Sequence, residues 1–398
     1  MAVSDAAAHA VEKPSVSILN DQKVRGQIFQ VVLVVALVWF GWSIVANTAA
    51  NLRAQGLPFG FDILKDTAGF SINQTLIEYS ETSSYGRVYW VGLLNTLLVA
   101  IVGIVFATLL GFLIGVSRLS SNWVISRVAY VYIEAIRNIP LLLQIFIWYF
   151  GVLRLLPAKR EAADLGIFGF LNVAGLYLPK PVFDTGASFI FWAFVFGVIA
   201  AIGVRSWAHK RQMETGQQFP IMWTSVGLIL GLPLLVYILT GFPITLEYPT
   251  AGNFGPRGGL RVFPEFIALL LALSMYTAAF IAEIVRAGIL AVSKGQTEAA
   301  HSLGLRPGPT LNLVVIPQAM RVIIPPLTSQ YLNLTKNSSL AVAIAYQDLV
   351  SVFAGTALNQ TGRAVELILI TMLTYLAISL LTSSFMNWYN RRMALVER

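Results

Sequence analysis

Residues Val88–Ser117 read VYWVGLLNTLLVAIVGIVFATLLGFLIGVS, and no charged side chain occurs among them. A helix needs about 20 apolar residues to cross the hydrocarbon core of a bilayer. A second uncharged run, Ile28–Asn47, meets the same requirement. Over all 398 residues, 57% are hydrophobic and 12% are charged, whereas a soluble domain is roughly one quarter charged. The sequence therefore predicts an all-α integral membrane protein.

Eight membrane spans are predicted from the apolar runs. They lie near residues 28–47, 88–117, 126–153, 187–206, 219–241, 264–288, 310–334 and 364–388. The seventh contains Pro317, Pro325 and Pro326, which are expected to interrupt it. Segments broken by proline often line a cavity, because their freed backbone groups need partners.

The basic residues orient these spans. With the N-terminus inside, the cytoplasmic segments carry more lysine and arginine than the external ones, as the positive-inside rule requires. This bias accounts for the net charge of +8 without nucleic acid binding, since no cluster of basic residues occurs outside the span ends. We expect a multi-pass protein of the bacterial inner membrane with cytoplasmic tails at residues 1–27 and 389–398.

Several kinds of chemistry are excluded by composition. The chain has no cysteine, which excludes disulfides and thiolate metal sites, and its three histidines are too scattered to suggest a metal site. No Gly-Lys dipeptide occurs, so a P-loop that wraps phosphates is absent. We predict a non-enzyme subunit with no catalytic residue, no metal and no cofactor of its own.

The loop between the sixth and seventh spans, Ser293–Pro307, reads SKGQTEAAHSLGLRP. It predicts a short helix over Thr297–Leu303 that ends at Gly304. Glu298 would lie at the start of this helix, where the macrodipole favours an acidic side chain. Ala299 and Ala300 would let another surface approach closely. On physical grounds alone, an ordinary connection between two helices explains the loop better than a functional site does.

This loop resembles the EAA motif of ABC importer membrane subunits. In that motif, Glu-Ala-Ala is followed by three residues, Gly, nine residues and Ile-x-Leu-Pro. Here the matching residues are Glu298-Ala299-Ala300, then Gly304, then Val314-Val315-Ile316-Pro317. Four further segments are similar to the polar amino acid uptake branch of the family. They are Glu134–Gln144, Tyr276–Arg286, Pro317–Arg321 and Lys336–Leu340.

The resemblance implies a type I ABC importer transmembrane domain over residues 88–388, with a five-helix core. The first span at 28–47 is extra, and an insertion at 156–262 carries two more spans. This architecture is similar to the larger permease subunits of proteobacterial general L-amino-acid importers.

The resemblance also implies partners. A cytoplasmic ABC ATPase dimer would bind ATP-Mg and contact the loop through Glu298, Ala299, Ala300 and Gly304. A second, shorter permease would complete a heterodimer, and a periplasmic solute-binding protein would deliver an L-amino acid.

Charged residues within the spans need partners, because a charge near the bilayer centre costs about 3 kcal/mol or more. Two i,i+3 pairs are predicted, Glu134 with Arg137 and Arg363 with Glu366. Lys336 has no local partner, and it either lines a substrate path or packs between helices against Asp348 or a carbonyl group. The candidates for the translocation path are Glu283, Gln330, Asn333, Lys336, Asn337 and Ser339.

Two other classes of function compete with this interpretation. An ion-coupled secondary transporter would use membrane charges such as Glu283, but it has no use for an EAA loop. A membrane scaffold or sensor would need a soluble domain, and none of adequate size occurs in the sequence.

Overall fold

The computed structural model describes residues 22–54 and 60–393, so most of the two predicted tails lies outside the described residues. The helices, in chain order, are α1 Gln22–Ala54, α2 Tyr85–Ser117, α3 Trp123–Asn138, α4 Leu141–Phe146, α5 Ala187–Thr215, α6 Ile221–Val226, α7 Leu232–Leu239, α8 Pro264–Leu290, α9 Lys294–Ser302, α10 Pro307–Thr310, α11 Ile316–Asn337, α12 Leu358–Thr361 and α13 Ala364–Met393. Within the described part, seven helical segments are long and apolar enough to cross a membrane, or eight if one bent pair counts as a span. The predicted helical membrane fold is confirmed.

The core is a bundle in which α2 packs along α8, and α11 packs against α8 and α13. Two glycines of α2 permit the first of these contacts. A Cβ atom at Gly111 would lie 2.6 Å from Cβ of Ile281, and one at Gly115 would lie 2.7 Å from the carbonyl oxygen of Ala282. Because real Cβ atoms do not approach so closely, the two helices cross at a distance that only glycine allows.

The third predicted span, 126–153, is not one straight helix. Helix α3 and the helical segment that starts at Leu141 meet at an angle of 105°. Pro140 causes the break, because it disfavours the helical conformation at Ile139, which is extended. Gln144 stabilises the corner by donating from Nε2 to the carbonyl oxygens of Ile136 at 2.8 Å and Ile139 at 2.9 Å.

The seventh span also differs from the prediction. Helix α11 continues through Pro325 and Pro326. The break comes at Ser338, where a 3₁₀ segment begins that ends at Ala345 in a left-handed conformation. Both prolines are exposed on the outer side of α11, so their rings do not have to fit inside the bundle. The regular α-helix therefore ends after Asn337 and not at a proline.

The insertion forms a helical hairpin and two small β-sheets. Helix α5 packs against α6 and α7, and the helical segments Ala187–Thr215 and Ile221–Leu239, at the spans predicted near 187–206 and 219–241, are long and apolar enough to cross a membrane. The connecting segments contain short strands that the sequence did not predict. They are β1 Ala163–Asp164, β2 Phe170–Asn172, β3 Gly175–Leu178, β4 Lys180–Phe183, β5 Ile244–Glu247 and β6 Leu260–Val262. Strands β1-β2-β3-β6 form one antiparallel sheet, and β4 pairs with β5.

Candidate functional site

The loop Ser293–Pro307 folds into α9 and a tightly closed helix end. The amide of Leu305 donates to the carbonyl oxygen of Ala300 at 3.1 Å, and the amide of Gly304 donates to that of His301 at 2.9 Å. These two bonds form a Schellman motif. It requires a left-handed residue, and Gly304 has a φ of 77°, which glycine adopts without a steric penalty. The predicted end of the helix is therefore confirmed.

Two details of this loop differ from expectation, and a third limits what Gly304 contributes. Helix α9 begins at Lys294, so Glu298 lies beyond the first turn and gains little from the macrodipole. Gly304 is not required for space, because a Cβ there would meet nothing within 4 Å. Ala299 is exposed, but only 4% of Ala300 is exposed. Ala300 thus anchors α9 to its own chain and leaves Ala299 for another surface.

Among the exposed residues of α9 and its C-terminal end, Glu298, Ala299, Ser302 and Leu303 share one face, because their positions repeat every three to four residues. Leu303 is 83% exposed. We call these four residues the α9 surface. It combines a carboxylate, small side chains and an apolar tip.

Helix α11 has one side that its own chain leaves uncovered. Its buried side carries Ile323, Ile324, Leu327, Leu334 and Thr335. The exposed side, here called the α11 outward face, carries Val322, Pro325, Pro326, Ser329, Asn333 and Lys336. The helical repeat places these six residues on one stripe.

The structure places five of the six predicted path candidates together and the sixth elsewhere. Asn333 and Lys336 lie on the α11 outward face, whereas Gln330 and Asn337 are half-buried at its edge. Ser339 lies in the following 3₁₀ segment, and its hydroxyl donates to the carbonyl oxygen of Lys336 at 2.7 Å. These five candidates therefore lie at one end of α11.

Glu283 does not belong to this group. It forms an ion pair and hydrogen bonds with Arg286 on the same helix. Both residues lie near the end of α8 that leads into α9, and Lys336 lies at the opposite end of α11. Gly288 of α8 packs against Ile323 near the start of α11, whereas Leu270 of α8 and Leu334 of α11 both lie against Gly103. The two helices therefore run antiparallel, and the length of the bundle separates Glu283 from Lys336.

Lys336 lines a pocket of about 440 Å³ between α11 and α13. Ser339 and Tyr375 lie in the same wall. No ion pair of Lys336 occurs within residues 22–54 and 60–393. Asp348, the suggested acidic partner, instead accepts hydrogen bonds from the amide of Ser351 at 2.9 Å and the hydroxyl of Tyr375 at 3.3 Å.

The two predicted i,i+3 ion pairs are not formed in the described part of the chain. The guanidinium of Arg137 lies over the ring of Phe280, 5.2 Å from its centre. Arg363 and Glu366 both bind Gly60 instead of each other. A sequence spacing that permits a pair does not create one when other acceptors and donors are nearer.

A buried polar pair on α2, Asn95 and Thr96, was not singled out from the sequence. The Asn95 Nδ2 atom donates to the carbonyl oxygen of Gln347 at 2.9 Å, and Thr96 Oγ1 accepts from the amide of Leu349 at 3.0 Å. The two residues thereby supply hydrogen-bond partners to backbone groups of the irregular segment that follows α11. The available signal was that an Asn-Thr dipeptide interrupts the apolar run Val88–Ser117.

Similarity to known proteins shows the family of this chain. A family model described as "Binding-protein-dependent transport system inner membrane component" matches residues 193–395. The general L-amino acid transport system permease protein AapQ of Rhizobium johnstonii is 55% identical over 96% of this chain and 95% of its own. The chain belongs to this permease family. It is thus a multi-pass transport component of the inner membrane.

Two further relatives of this permease align over nearly their full length. The putative amino-acid ABC transporter permease protein YhdX of Escherichia coli is 52% identical over 97% of this chain and 98% of its own. The glutamate/glutamine/aspartate/asparagine transport system permease protein BztB of Rhodobacter capsulatus is 43% identical over 96% of each chain. The resemblance to ABC permeases is confirmed. The domain limits, the orientation of the termini and the roles of individual residues stay predictions.

Proposed function

We propose that this permease is the membrane subunit of an ATP-driven ABC importer that moves L-amino acids into the cell. Membership of the family and the amino-acid transport named for its relatives support the substrate class. The permease binds no ATP in this proposal. A partner ATPase dimer binds and hydrolyses ATP-Mg, and an external solute-binding protein delivers the substrate.

The observation that carries the proposal is the α9 surface. A connection that only joined two spans would gain by burying Leu303, yet this side chain stays exposed. The Schellman end fixes α9 while its outer side remains free for a partner. We propose that the ATPase receives this surface in a cleft, with Glu298 offering a charge-assisted hydrogen bond to a basic residue there. Ala300 and Gly304 hold α9 in position.

The α11 outward face supports a second permease chain as a partner. Asn333 and Lys336 would be costly to leave against lipid, because polar side chains in membrane helices face protein or water. A second, shorter permease packed across this face would enclose the polar end of α11 between the two chains. Substrate would then pass along Lys336, Asn333 and Ser339, with Gln330 and Asn337 at the edge.

The ion-coupled alternative gains no support from the site. Its candidate proton carrier, Glu283, is held by Arg286. A carboxylate in an ion pair with arginine is a poor proton carrier near neutral pH, because the guanidinium favours its charged form. We therefore retain the ATP-driven importer.

The test uses the complex reconstituted in proteoliposomes with its ATPase and solute-binding protein. We expect Glu298→Lys and Ala299→Trp to reduce both amino-acid uptake and the stimulation of ATP hydrolysis by the binding protein at least tenfold. Neither residue is buried, so the amount of folded permease should not change. Glu214→Lys, which reverses an exposed glutamate on α5, is the matched control. Wild-type coupling in both α9 variants would contradict the proposal.

A further inference from the structure

A pocket of about 560 Å³ lies where the insertion meets the core bundle. One part of its wall comes from residues 149–159, which lead out of the third span, and from the first turn of α8. The other part comes from the turn between β2 and β3 and from Arg261 in β6. The volume is within the roughly 300–1,000 Å³ that small-molecule sites occupy. The insertion therefore supplies walls to a cavity of the size of a ligand site.

Four charged side chains line this pocket, and three of them are basic. The basic residues are Arg154, Lys159 and Arg261, and the acidic residue is Glu265. The three basic residues are exposed and Glu265 is half-buried, so all four are open to a ligand that arrives from water. None of the four forms an ion pair in the part of the chain that the structure describes. The pocket thus has an excess of positive charge that its own residues leave unpaired.

Hydrogen bonds hold two of these charged groups at the wall. The hydroxyl of Tyr149 donates to Oε1 of Glu265 at 2.8 Å, which leaves Oε2 for another donor. The Nε and Nη2 atoms of Arg261 donate to the carbonyl oxygen of Ala174 at 2.9 and 2.7 Å, which leaves Nη1 for another acceptor. Arg154 is close enough to the Tyr149 hydroxyl to interact with it electrostatically. A basic group and an acidic group therefore lie near the same hydroxyl.

This pattern of charges matches an amino acid that has two carboxylates and one ammonium group. Guanidinium and ammonium groups bind carboxylates through charge-assisted hydrogen bonds, and three such groups line the pocket. A carboxylate has several acceptor sites, so Glu265 can bind an ammonium group while it accepts from Tyr149. A neutral amino acid has one carboxylate and would use fewer of the basic side chains. A zwitterionic lipid headgroup carries no excess of negative charge.

The pocket lies at the end of the bundle that carries the path candidates. Glu265 is in the first turn of α8. Because α8 and α11 run antiparallel, this end of α8 lies beside the end of α11 that bears Lys336. The α9 surface lies at the opposite end of α8. If α9 faces the cytoplasm, the pocket opens on the external side.

We propose that this pocket binds an acidic amino acid at the external end of the bundle, with Arg154 and Lys159 on its carboxylates and Glu265 on its ammonium group. The inference rests on the proposed function for the choice of an amino acid and for which end is external. An acidic amino acid that leaves the binding protein would be retained here, at the end of the bundle where Lys336 lies. The insertion would thereby favour one class of substrate.

A single reporter cysteine tests the pocket without requiring transport. The chain contains no cysteine, and Ala158 is an exposed residue of the wall. The permease complex with its ATPase is placed in nanodiscs without the binding protein, and a maleimide should label Ala158→Cys. We expect L-glutamate to slow labelling several-fold at saturation. L-glutamine, which lacks the second carboxylate, and glutarate, which lacks the ammonium group, should protect only at higher concentrations.

Substitutions identify the groups that bind the ligand. Arg154→Gln in the cysteine background should weaken the apparent affinity for L-glutamate roughly ten- to hundredfold, because a hydrogen bond between charged groups is lost. Glu265→Gln keeps an acceptor for Tyr149 but loses the charge, so it should remove the preference for L-glutamate over glutarate. Lys180→Gln, at an exposed lysine of the insertion outside the pocket, should change neither. Lys159→Gln replaces Arg154→Gln if the latter does not assemble.

Three results would overturn the proposal. They are labelling that L-glutamate leaves unchanged, equal protection by glutarate in the wild type, and undiminished protection in Arg154→Gln. Equilibrium binding of radiolabelled L-glutamate to the same nanodiscs is the second readout, and binding that is equal in the wild type and Arg154→Gln also contradicts it.

Two further outcomes assign the pocket to another occupant and so exclude the proposal. Labelling that depends on the phospholipid of the nanodisc but not on L-glutamate would indicate a lipid headgroup. Labelling that the binding protein blocks, with or without an amino acid, while L-glutamate alone has no effect, would indicate a protein interface. Uptake by the wild-type complex is measured separately, and its absence contradicts the proposed function alone.

Discussion

Arg363 and Glu366 bind the same residue from opposite sides. The amide of Gly60 donates to Oε1 of Glu366 at 2.7 Å, and Nη1 of Arg363 donates to the carbonyl oxygen of Gly60 at 2.8 Å. Glu366 is 1% exposed. These bonds attach the segment before α2 to the start of α13. Ile63, three residues on, is completely buried against the same helices.

We expect Glu366→Ala to release this attachment, because the half-buried amide of Gly60 would lose its acceptor at a cost of about 1–3 kcal/mol. Hydrogen–deuterium exchange of residues 60–84 should then accelerate roughly ten- to hundredfold. Glu366→Gln keeps an acceptor oxygen and should exchange like the wild type. Glu81→Ala, at an exposed position of the same segment, is the control. Unchanged exchange in Glu366→Ala would show that Ile63 and its neighbours suffice.

The α2–α8 contact predicts unequal effects of two Gly→Ala changes on one helix. A Cβ at Gly111 would collide with Ile281, whereas one at Gly103 would lie 3.3 Å from the end of the flexible Leu334 side chain. Gly111→Ala should destabilise the permease by about 1–3 kcal/mol, and Gly103→Ala should be neutral or slightly stabilising. Thermal loss of folded protein in detergent measures both. Equal melting temperatures would refute the close crossing.

Asp348 predicts a pH dependence of stability. It lies between the last two spans, and its burial raises the pKa of the carboxyl to about 7. The folded state thus holds this proton more tightly than the unfolded chain, in which the pKa is about 3.9. The stability from this group is complete below about pH 4 and is lost as the pH rises through about 7.

We therefore expect Asp348→Asn to raise the melting temperature at pH 8 relative to the wild type and to flatten the difference between pH 5 and pH 8. The exposed Asp62, changed to Asn, should leave the pH profile unchanged. A wild-type permease that is equally stable at both pH values, with an identical Asp348→Asn profile, would contradict the raised pKa.

The Lys336→Met variant tests whether Lys336 lines the substrate path or packs between helices. The side chain is exposed and has no ion pair in the described part of the chain, so the amount of folded permease should be unchanged. Uptake should fall roughly ten- to hundredfold if a charge-assisted hydrogen bond to the substrate carboxylate is lost. Lys65→Met, at another exposed lysine, is the control. Reduced yield in proportion to reduced uptake would assign Lys336 to helix packing.

Much of the fold was predictable because its determinants are local. Runs such as Val88–Ser117 define spans by length and polarity alone, and Gly304 marks a helix end by its backbone preference. The break of α11 was misplaced for the opposite reason. Pro325 and Pro326 lie on the exposed side of a helix that continues past them, and which side of a helix is exposed is set by its neighbours.

The polar contacts could not be predicted, because they join distant parts of the chain. Asn95 and Gln347 are 252 positions apart, and Gly60 lies 303 positions from Arg363. No periodic pattern connects such residues. The i,i+3 spacing of Arg363 and Glu366 suggested a mutual pair, but it could not show that Gly60 offers each of them a hydrogen bond.

The hairpin of α5 with α6 and α7 has a consequence for how such a chain could grow. Two antiparallel crossings return the backbone to the side of the membrane that it left. Adding or removing the hairpin therefore changes the number of crossings by two and does not reverse the orientation of the spans that follow. The sidedness of α2, α3 and α8 to α13 would be the same if the hairpin were absent. The single crossing α1 is different, since its loss would transfer the N-terminus to the opposite compartment. Loss of the hairpin would thus leave the other spans in the same orientation, whereas α1 determines on which side of the membrane the residues before it lie.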